Sequence, residues 1–494
     1  MAALGKKVDL HFHSQHSDGA FLVPELLDSL KAHGYSAGAL TDHDHVGGLD
    51  EGLPLARELK MELVPGIELS SQYRDLKEIH VLGYYFDYKN SFLREKLNWF
   101  QSSRIARAKG ILDNINKALN KQGRPLIPYQ DIASGVKGSF GRPHIAQRLL
   151  DLGYVRSMEQ AFHDYLIPYN VPKAYFSPKE AIELIHQAKG LAVLAHPKFL
   201  TDNKDKLHTF LELMVNWGLD GLEVYYPDLS PDETSRYLSL AYKLGLLITG
   251  GSDYHSPSFG HGSGPGEKML HVPYHCLREI KRAFFRMNRT LVIMYGLPTS
   301  GKTFVAEALA KEYRFYHIMA DKIRQDTFRG LEPAGFGKEI KYSRDASIMV
   351  YSKMWEEASK QLALGNPVIV DGTFLLNEAR QKFYFLASKL NATFVVLKCL
   401  CPEETIEKRM VKRVITPDPY SEADWEVYLK MKQNVEGSPP HIFGNPDLDR
   451  FEGGKAPCVS FDANRWEESG NDADLIDLVT HELILSILGS DRLA

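Results

Sequence analysis

A chain of 494 residues, 44% of them hydrophobic and 25% charged, is too long for one ordinary domain and too apolar for a disordered one. Its net charge of −4 excludes a cationic sleeve for nucleic acid along the whole molecule, and four scattered cysteines, Cys276, Cys399, Cys401 and Cys458, exclude a disulfide framework and fit a reducing cytoplasm. Residues 1–9 hold no apolar signal segment and no apolar run reaches the length of a membrane span, so a soluble, unexported protein is expected.

Short apolar runs recur at 8–11, 37–41, 63–67, 79–84, 191–195, 221–225 and 246–249, with helical periodicity between most of them. Seven strands alternating with helices predict a parallel, barrel-like sheet. Residues 92–187, between the fourth and fifth runs, are helical in period and predict an inserted lid over the barrel mouth. From Arg94 to Arg148 this insertion carries eleven Lys or Arg against Glu95, Asp113 and Asp131, a net of +8 that suits an anion-binding surface or a solvated helical face. Sixteen of the 19 histidines precede residue 290, where an arginine-rich helical stretch, 278–289, runs into a new apolar strand at 290–295. A domain boundary near 286 follows, giving domains 1–286 and 287–494 with no flexible linker.

In the first domain, Asp9-Leu10-His11-Phe12-His13 places two imidazoles at alternate strand positions, so both project from one face while Leu10 and Phe12 pack the other. Asp18, His43, Glu68, His80, His196, Asp253 and His255 fall at or just beyond other strand ends. In a parallel barrel those ends converge on one mouth. Six imidazoles and three carboxylates there make a donor set suited to zinc, manganese or iron. Any one of these histidines alone reads as an ordinary packed side chain, but clustered on buried strand ends without a cation they would be costly. Asp42 and Glu223 lie near the same mouth in sequence and read as supporting carboxylates.

The pattern resembles the PHP (polymerase and histidinol phosphatase) family over roughly residues 6–275. The resemblance implies a distorted (β/α)7 barrel with three metals: one on His11, His13, Glu68 and Asp253, a second shared through Glu68 with His80 and His196, and a third on Asp18, His43 and His255. Such ions activate water and neutralise phosphoryl oxygens, so no nucleophilic side chain is required. Gly141-Arg142-Pro143-His144 is similar to the branch of nucleoside 3′,5′-bisphosphate phosphatases and related exoribonucleases, which implies a phosphate-gripping lid of Arg104, Arg107, Arg142, His144 and Lys173.

In the second domain, Gly296-Leu297-Pro298-Thr299-Ser300-Gly301-Lys302-Thr303 is a complete G-x-x-x-x-G-K-T loop between an apolar strand and a helical pattern at 304–313. An α/β/α sandwich of the P-loop NTPase type is expected. Loop amides from Gly296 through Ser300 and Gly301 would cradle ATP, Lys302 would bridge its terminal phosphates, and Thr303 would ligate magnesium. Asp371 ends an apolar run at 368–370 and reads as a second magnesium carboxylate or as a helix cap before Gly372. Ala320-Asp321-Lys322-Ile323-Arg324 is similar to the D-x-x-R element of phage-type polynucleotide 5′-hydroxyl kinases. The likeness, spanning roughly 290–470, implies Asp321 as the base, Arg324 as the acceptor-phosphate ligand, and Arg409 or Arg413 of a lid helix on the transferring phosphoryl group.

Phage enzymes of that type also carry a D-x-D-x-T phosphatase, whereas the D-x-D at Asp447-Leu448-Asp449 is followed by Arg450-Phe451. A PHP domain in its place would restore the same pair of activities by other chemistry. The expected protein is therefore a bifunctional enzyme for nucleic-acid ends or nucleotides, using three divalent metals (Mn, Zn or Fe) in one site and ATP with Mg in the other, with no membrane partner. Two alternatives stand beside it: a nucleoside bisphosphate phosphatase or exoribonuclease fused to a small-molecule kinase, and a nucleotide-sensing switch on the hydrolase. Asp321 with Arg324 argues against the switch, which needs no acceptor base.

Overall fold

The computed structural model describes residues 6–133, 141–256, 272–329, 338–415, 423–433, 450–451, 454–455, 458–462 and 472–489. The D-x-D at 447–449 lies outside them. Two compact units emerge, Met1–Ile280 and Lys281–Ala494. The division falls inside the helix Tyr274–Met287, whose Lys281, Phe284 and Phe285 are buried, and Lys281 Nζ donates to the Asp477 carbonyl at 2.8 Å, within the second unit.

The first unit is built on β1 (Lys7–Phe12), β2 (Tyr35–Leu40), β3 (Glu62–Tyr73), β4 (Leu76–Tyr84), β5 (Leu191–Leu194), β6 (Gly221–Tyr225), β7 (Leu247–Gly250) and the two-residue β8 (Val272–Pro273). Their order is β7-β6-β5-β4-β3-β2-β1-β8. The all-parallel expectation fails at β4, which runs antiparallel to both β3 and β5. Only Arg74 and Asp75 separate β3 from β4, with Arg74 at φ 54°, and so short a link makes a hairpin rather than a helical crossover. β3 also outruns the expected 63–67, since Glu62 through Ser71 are all buried and its polar members Glu68, Ser70 and Ser71 hide the strand from a hydropathy reading.

Backbone bonds after β7 close the barrel: Asp253 N–H donates to the His11 carbonyl at 2.7 Å and His13 N–H to the Tyr254 carbonyl at 3.0 Å. Gly251 permits this approach, because a Cβ there would lie 2.3 Å from the His11 Cβ.

Between β4 and β5 the helix Ser91–Lys121 starts at Asn90, whose side chain accepts from Leu93 N–H at 3.0 Å. Tyr129–Ala133, Arg142–Asp151, Met158–Ala161 and a π-helical turn at Phe162–Leu166 follow. These segments form a core of their own, with Ile111, Leu112, Ile115, Ile145, Leu149 and Leu166 buried together. The helix Pro178–Gln187, expected within the insertion, belongs instead to the barrel, where Ile185 fills the space above Gly83 of β4. Its start is fixed by Pro178 in the first turn and a Ser177–Glu180 capping box.

The second unit has a wholly parallel sheet of β9 (Leu291–Tyr295), β10 (Tyr316–Met319), β11 (Val368–Asp371), β12 (Phe394–Leu400) and β13 (Cys458–Asp462), in the order β10-β11-β9-β12-β13. Every residue of β9 and β11 is buried, which is why both read as unbroken apolar runs. Strand order reverses at β9, and ligands of open parallel sheets bind at the carboxyl ends beside such a switch point.

Candidate metal centre and phosphate sites

The barrel mouth gathers all nine predicted metal-ligating side chains around Glu68. Its Oε2 lies 3.3 Å from His11 Nε2, 3.1 Å from His13 Nε2 and 3.1 Å from His43 Nδ1, and its Oε1 lies 3.0 Å from His80 Nδ1 and 3.1 Å from His196 Nε2. Asp253 Oδ1 is 3.3 Å from His11 Nε2 and 3.2 Å from His13 Nε2. Asp18 stands further out, 3.3 Å from His255 Nε2 and 3.8 Å from His43 Nε2. Ligand-capable atoms within 4.8 Å of one another form three groups: His11, His13, Glu68 and Asp253; His13, Asp18, His43 and His255; and His43, Glu68 and His80. The grouping departs from the predicted one in two places. His13 also joins Asp18, His43 and His255, and His43 completes the group of Glu68 and His80, with His196 3.1 Å from His80 Nδ1.

Among the described residues, His11 Nε2, both His13 ring nitrogens, His43 Nδ1, Glu68 Oε2 and Asp253 Oδ1 are buried without a hydrogen-bond partner. Each unpaired buried polar group costs about 1–3 kcal/mol, and divalent cations would satisfy this nitrogen and oxygen set. Burial opposes ionisation of Glu68, but the fields of His43, His80 and His11 hold its carboxyl well below the ordinary range. Cations held here would supply Lewis-acid chemistry toward water and phosphoryl oxygens. The chain's own groups aim the donors. Glu223 Oε1 accepts from His11 Nδ1 at 3.0 Å, which turns the Nε2 lone pair toward Glu68 and Asp253. Tyr226 Oη donates to Asp253 Oδ2 at 3.0 Å and leaves Oδ1 facing the histidines.

A cavity of about 660 Å³ has Asp18 and Glu78 on its wall together with all five predicted lid residues, Arg104, Arg107, Arg142, His144 and Lys173. Their partners differ. Arg104 Nη2 donates to Asp44 Oδ2 at 2.7 Å and Lys173 Nζ lies 3.6 Å from Glu78 Oε2. Arg107 is held by neutral groups, donating to the Val171 carbonyl at 2.7 Å and Asn170 Oδ1 at 2.8 Å, and Arg142 sits 5.7 Å over the Phe162 ring. His144 Nδ1 accepts from Gly141 N–H at 3.2 Å. The Pro143 side chain lies outside the described residues.

In the second unit the loop after β9 turns through Gly296 (φ 151°), Thr299 (φ 66°) and Gly301 (φ 94°). A Cβ on Gly296 would lie 2.7 Å from Ser300 Oγ and 2.8 Å from the Cys399 carbonyl, so the turn excludes any larger residue. A pocket of about 80 Å³ is lined by Lys302, Thr303, Asp321, Arg324 and Asp371, among others. The next helix begins at Asn377, so Asp371 caps none and its carboxylate faces the pocket, with Oδ2 3.6 Å from His317 Nε2. The Arg324 guanidinium lies 4.7 Å over the Tyr342 ring, Arg409 Nη1 donates to the Thr299 carbonyl at 3.3 Å, and Lys302 Nζ donates to the Leu297 carbonyl at 2.7 Å. Arg413 belongs to the helix Glu403–Ile415, with its side chain outside the described residues.

Two families match this chain, the PHP domain over residues 9–121 and the AAA domain over residues 291–438. The 5′-3′ exoribonuclease of Haemophilus influenzae is 33% identical over 258 residues, which cover 51% of this chain and 91% of that protein. The chain belongs to the PHP family. Its PHP relatives also include the 3′,5′-nucleoside bisphosphate phosphatase of Chromobacterium violaceum, 30% identical over 273 residues (51% of this chain, 88% of that protein), and the 5′-3′ exoribonuclease of Escherichia coli K12, 30% identical over 257 residues (50% and 85%).

Around the PHP centre the sequence reading missed Asp9, Asp44 and Glu78. Asp9 accepts from Ser252 N–H at 2.9 Å and Ser252 Oγ at 2.6 Å, tying the Asp253 loop to β1. Asp44, at φ 50°, accepts from Ser70 N–H and Oγ, both at 2.8 Å, besides Arg104. Glu78, at φ 54°, accepts from Tyr175 Oη at 2.8 Å. Adjacency to His11, His43 and His80 was the available signal, but adjacency does not name a partner on another element.

Proposed function

We propose that the protein processes nucleic-acid ends: its PHP unit hydrolyses phosphate esters of nucleotides or polynucleotides in a site of three divalent cations, and its P-loop unit transfers the γ-phosphate of ATP to a 5′-hydroxyl end. The observation that carries the reading is a cavity lined both by Asp18 of the metal cluster and by Arg107 and Arg142. Such a space suits a nucleotide with phosphorus on both sides of its ribose, as in the bisphosphate of the C. violaceum relative's name. In the P-loop unit, Asp321 and Arg324 share one pocket with Lys302 and Thr303, which supports base, acceptor-phosphate, ATP-phosphate and magnesium roles in that order.

A second reading joins a nucleoside bisphosphate phosphatase or exoribonuclease to a metabolite kinase, and the small P-loop pocket of about 80 Å³ favours it. Incubation with ATP, manganese and an oligonucleotide bearing 5′-hydroxyl and 3′-phosphate ends, followed at both ends across a salt series, separates the two. Phosphate transfer to the oligonucleotide that falls steeply with salt supports end processing; transfer only to a nucleoside or gluconate refutes it. We place the protein in the cytoplasm, since Cys276, Cys399 and Cys401 are buried free thiols and no described helix is long and apolar enough to cross a membrane.

A further inference from the structure

We propose that the two reactions run in series: the phosphate that the P-loop unit places on a 5′-hydroxyl end becomes the anion that anchors that strand in the PHP cavity for hydrolysis. This rests on the end-processing reading above and adds an order to its two steps.

The four Arg and Lys side chains of the cavity are not equivalent. Arg104 and Lys173 already face Asp44 and Glu78, which latch the insertion to the loop after β2 that carries His43 and to β4, which carries His80. Arg107 and Arg142 are positioned by a carbonyl, an amide oxygen and an aromatic ring, and among the described residues neither has a carboxylate within ion-pair distance. Burial, then the Arg142 charge, lowers the Arg107 guanidinium from its ordinary value, so two like charges are held toward one another by neutral partners. That arrangement is completed by an anion, and two guanidinium forks match phosphate oxygens. Asp18, which groups with His13, His43 and His255 at the barrel mouth, lines the same cavity. The anchored anion and the reacting phosphorus are therefore different groups of one substrate.

A hydrolase that removed the phosphate its companion had just added would only consume ATP. Serial use avoids that cycle. In the first step the 5′-oxygen bonds to the γ-phosphorus of ATP, its proton passes to Asp321, and ADP leaves. In the second, with the new 5′-phosphate on Arg107 and Arg142, a water oxygen bonds to phosphorus of the first internucleotide linkage, the P–O3′ bond breaks, and the 3′-oxygen gains a proton. The products are a nucleoside 5′-monophosphate and a shorter strand that again ends in a 5′-phosphate. One ATP thus serves a whole strand.

The test uses the full chain with manganese and one oligoribonucleotide made with a 5′-hydroxyl or a 5′-phosphate, with and without γ-labelled ATP. Without ATP the 5′-phosphorylated strand should shorten to nucleoside 5′-monophosphates, and the 5′-hydroxyl strand about ten- to a hundredfold more slowly, the range for a lost charged contact. Labelled ATP should restore the second rate with about one transfer per strand, the stoichiometry that P–O3′ cleavage requires. Arg107→Ala or Arg142→Ala should erase the difference between the two ends. Equal rates on both ends without ATP, removal of a 3′-phosphate from otherwise intact strands, or one transfer per released nucleotide would overturn the serial order. Failure of the underlying reading looks different, since then no label reaches the strand or neither strand is hydrolysed, and either result also ends the proposal.

Discussion

Glu223→Gln tests how the metal donors are aimed. The two carboxylate oxygens of Glu223 do separate jobs: Oε1 accepts from His11 Nδ1 at 3.0 Å and Oε2 accepts from the His196 backbone N–H at 2.7 Å. Glu223 and His11 side chains are fully buried. An amide has one acceptor, and the His196 N–H, fixed in a backbone of φ 26°, claims it. The amide NH2 then faces His11 Nδ1, which must accept; the ring proton moves to Nε2 and occupies the lone pair that faced Glu68 and Asp253. Loss of such a carboxylate behind a metal-ligating histidine typically costs about 10- to 100-fold in metal affinity, or about 1.4–2.8 kcal/mol. Titration of chelator-stripped protein with zinc or manganese against a chromophoric competitor reads this directly, with circular dichroism confirming that the barrel is folded. ATP turnover by the P-loop unit should not change. A folded Glu223→Gln protein that binds the first metal equivalents within twofold of wild type would refute the assignment of His11 Nε2 as a donor.

Asp253→Ala should lower bound metal and abolish phosphoester hydrolysis while sparing phosphate transfer from ATP; elemental analysis checks it, and unchanged metal content would remove Asp253 from the donor set. Lys302→Ala should abolish transfer from ATP and leave hydrolysis of a preformed substrate near wild type, since the two sites lie in separate compact units; parallel assays of both activities decide, and equal loss of both would contradict separate sites. Asp321→Asn should leave ATP binding nearly intact and cut turnover by about a hundredfold or more, the size of a general base. Direct ATP titration separates binding from turnover, and full turnover would make Asp321 structural.

The sequence by itself named the residues that the fold gathers at the barrel mouth and in the P-loop pocket, and the period of the elements holding them. His11 and His13 announce themselves because strand alternation fixes their common face, and the P-loop because its glycines, lysine and threonine are required by a turn whose geometry admits few residues. The long insertion was legible from its period and its charge. Tertiary structure alone decided the pairing. The sign of β4 follows from a two-residue link that hydropathy cannot weigh, and β3 was read short because its buried polar residues serve the site rather than the core. His13 and His43 each belong to two groups of potential ligands because the mouth is narrow enough for their rings to lie 4.6 Å apart. The division of the lid cations into two that face carboxylates and two that do not depends on Asp44 and Glu78, whose partners are distant in sequence. Composition and spacing specify which groups a site will contain; which charge meets which is fixed only when the strands and the insertion bring them within a few ångströms.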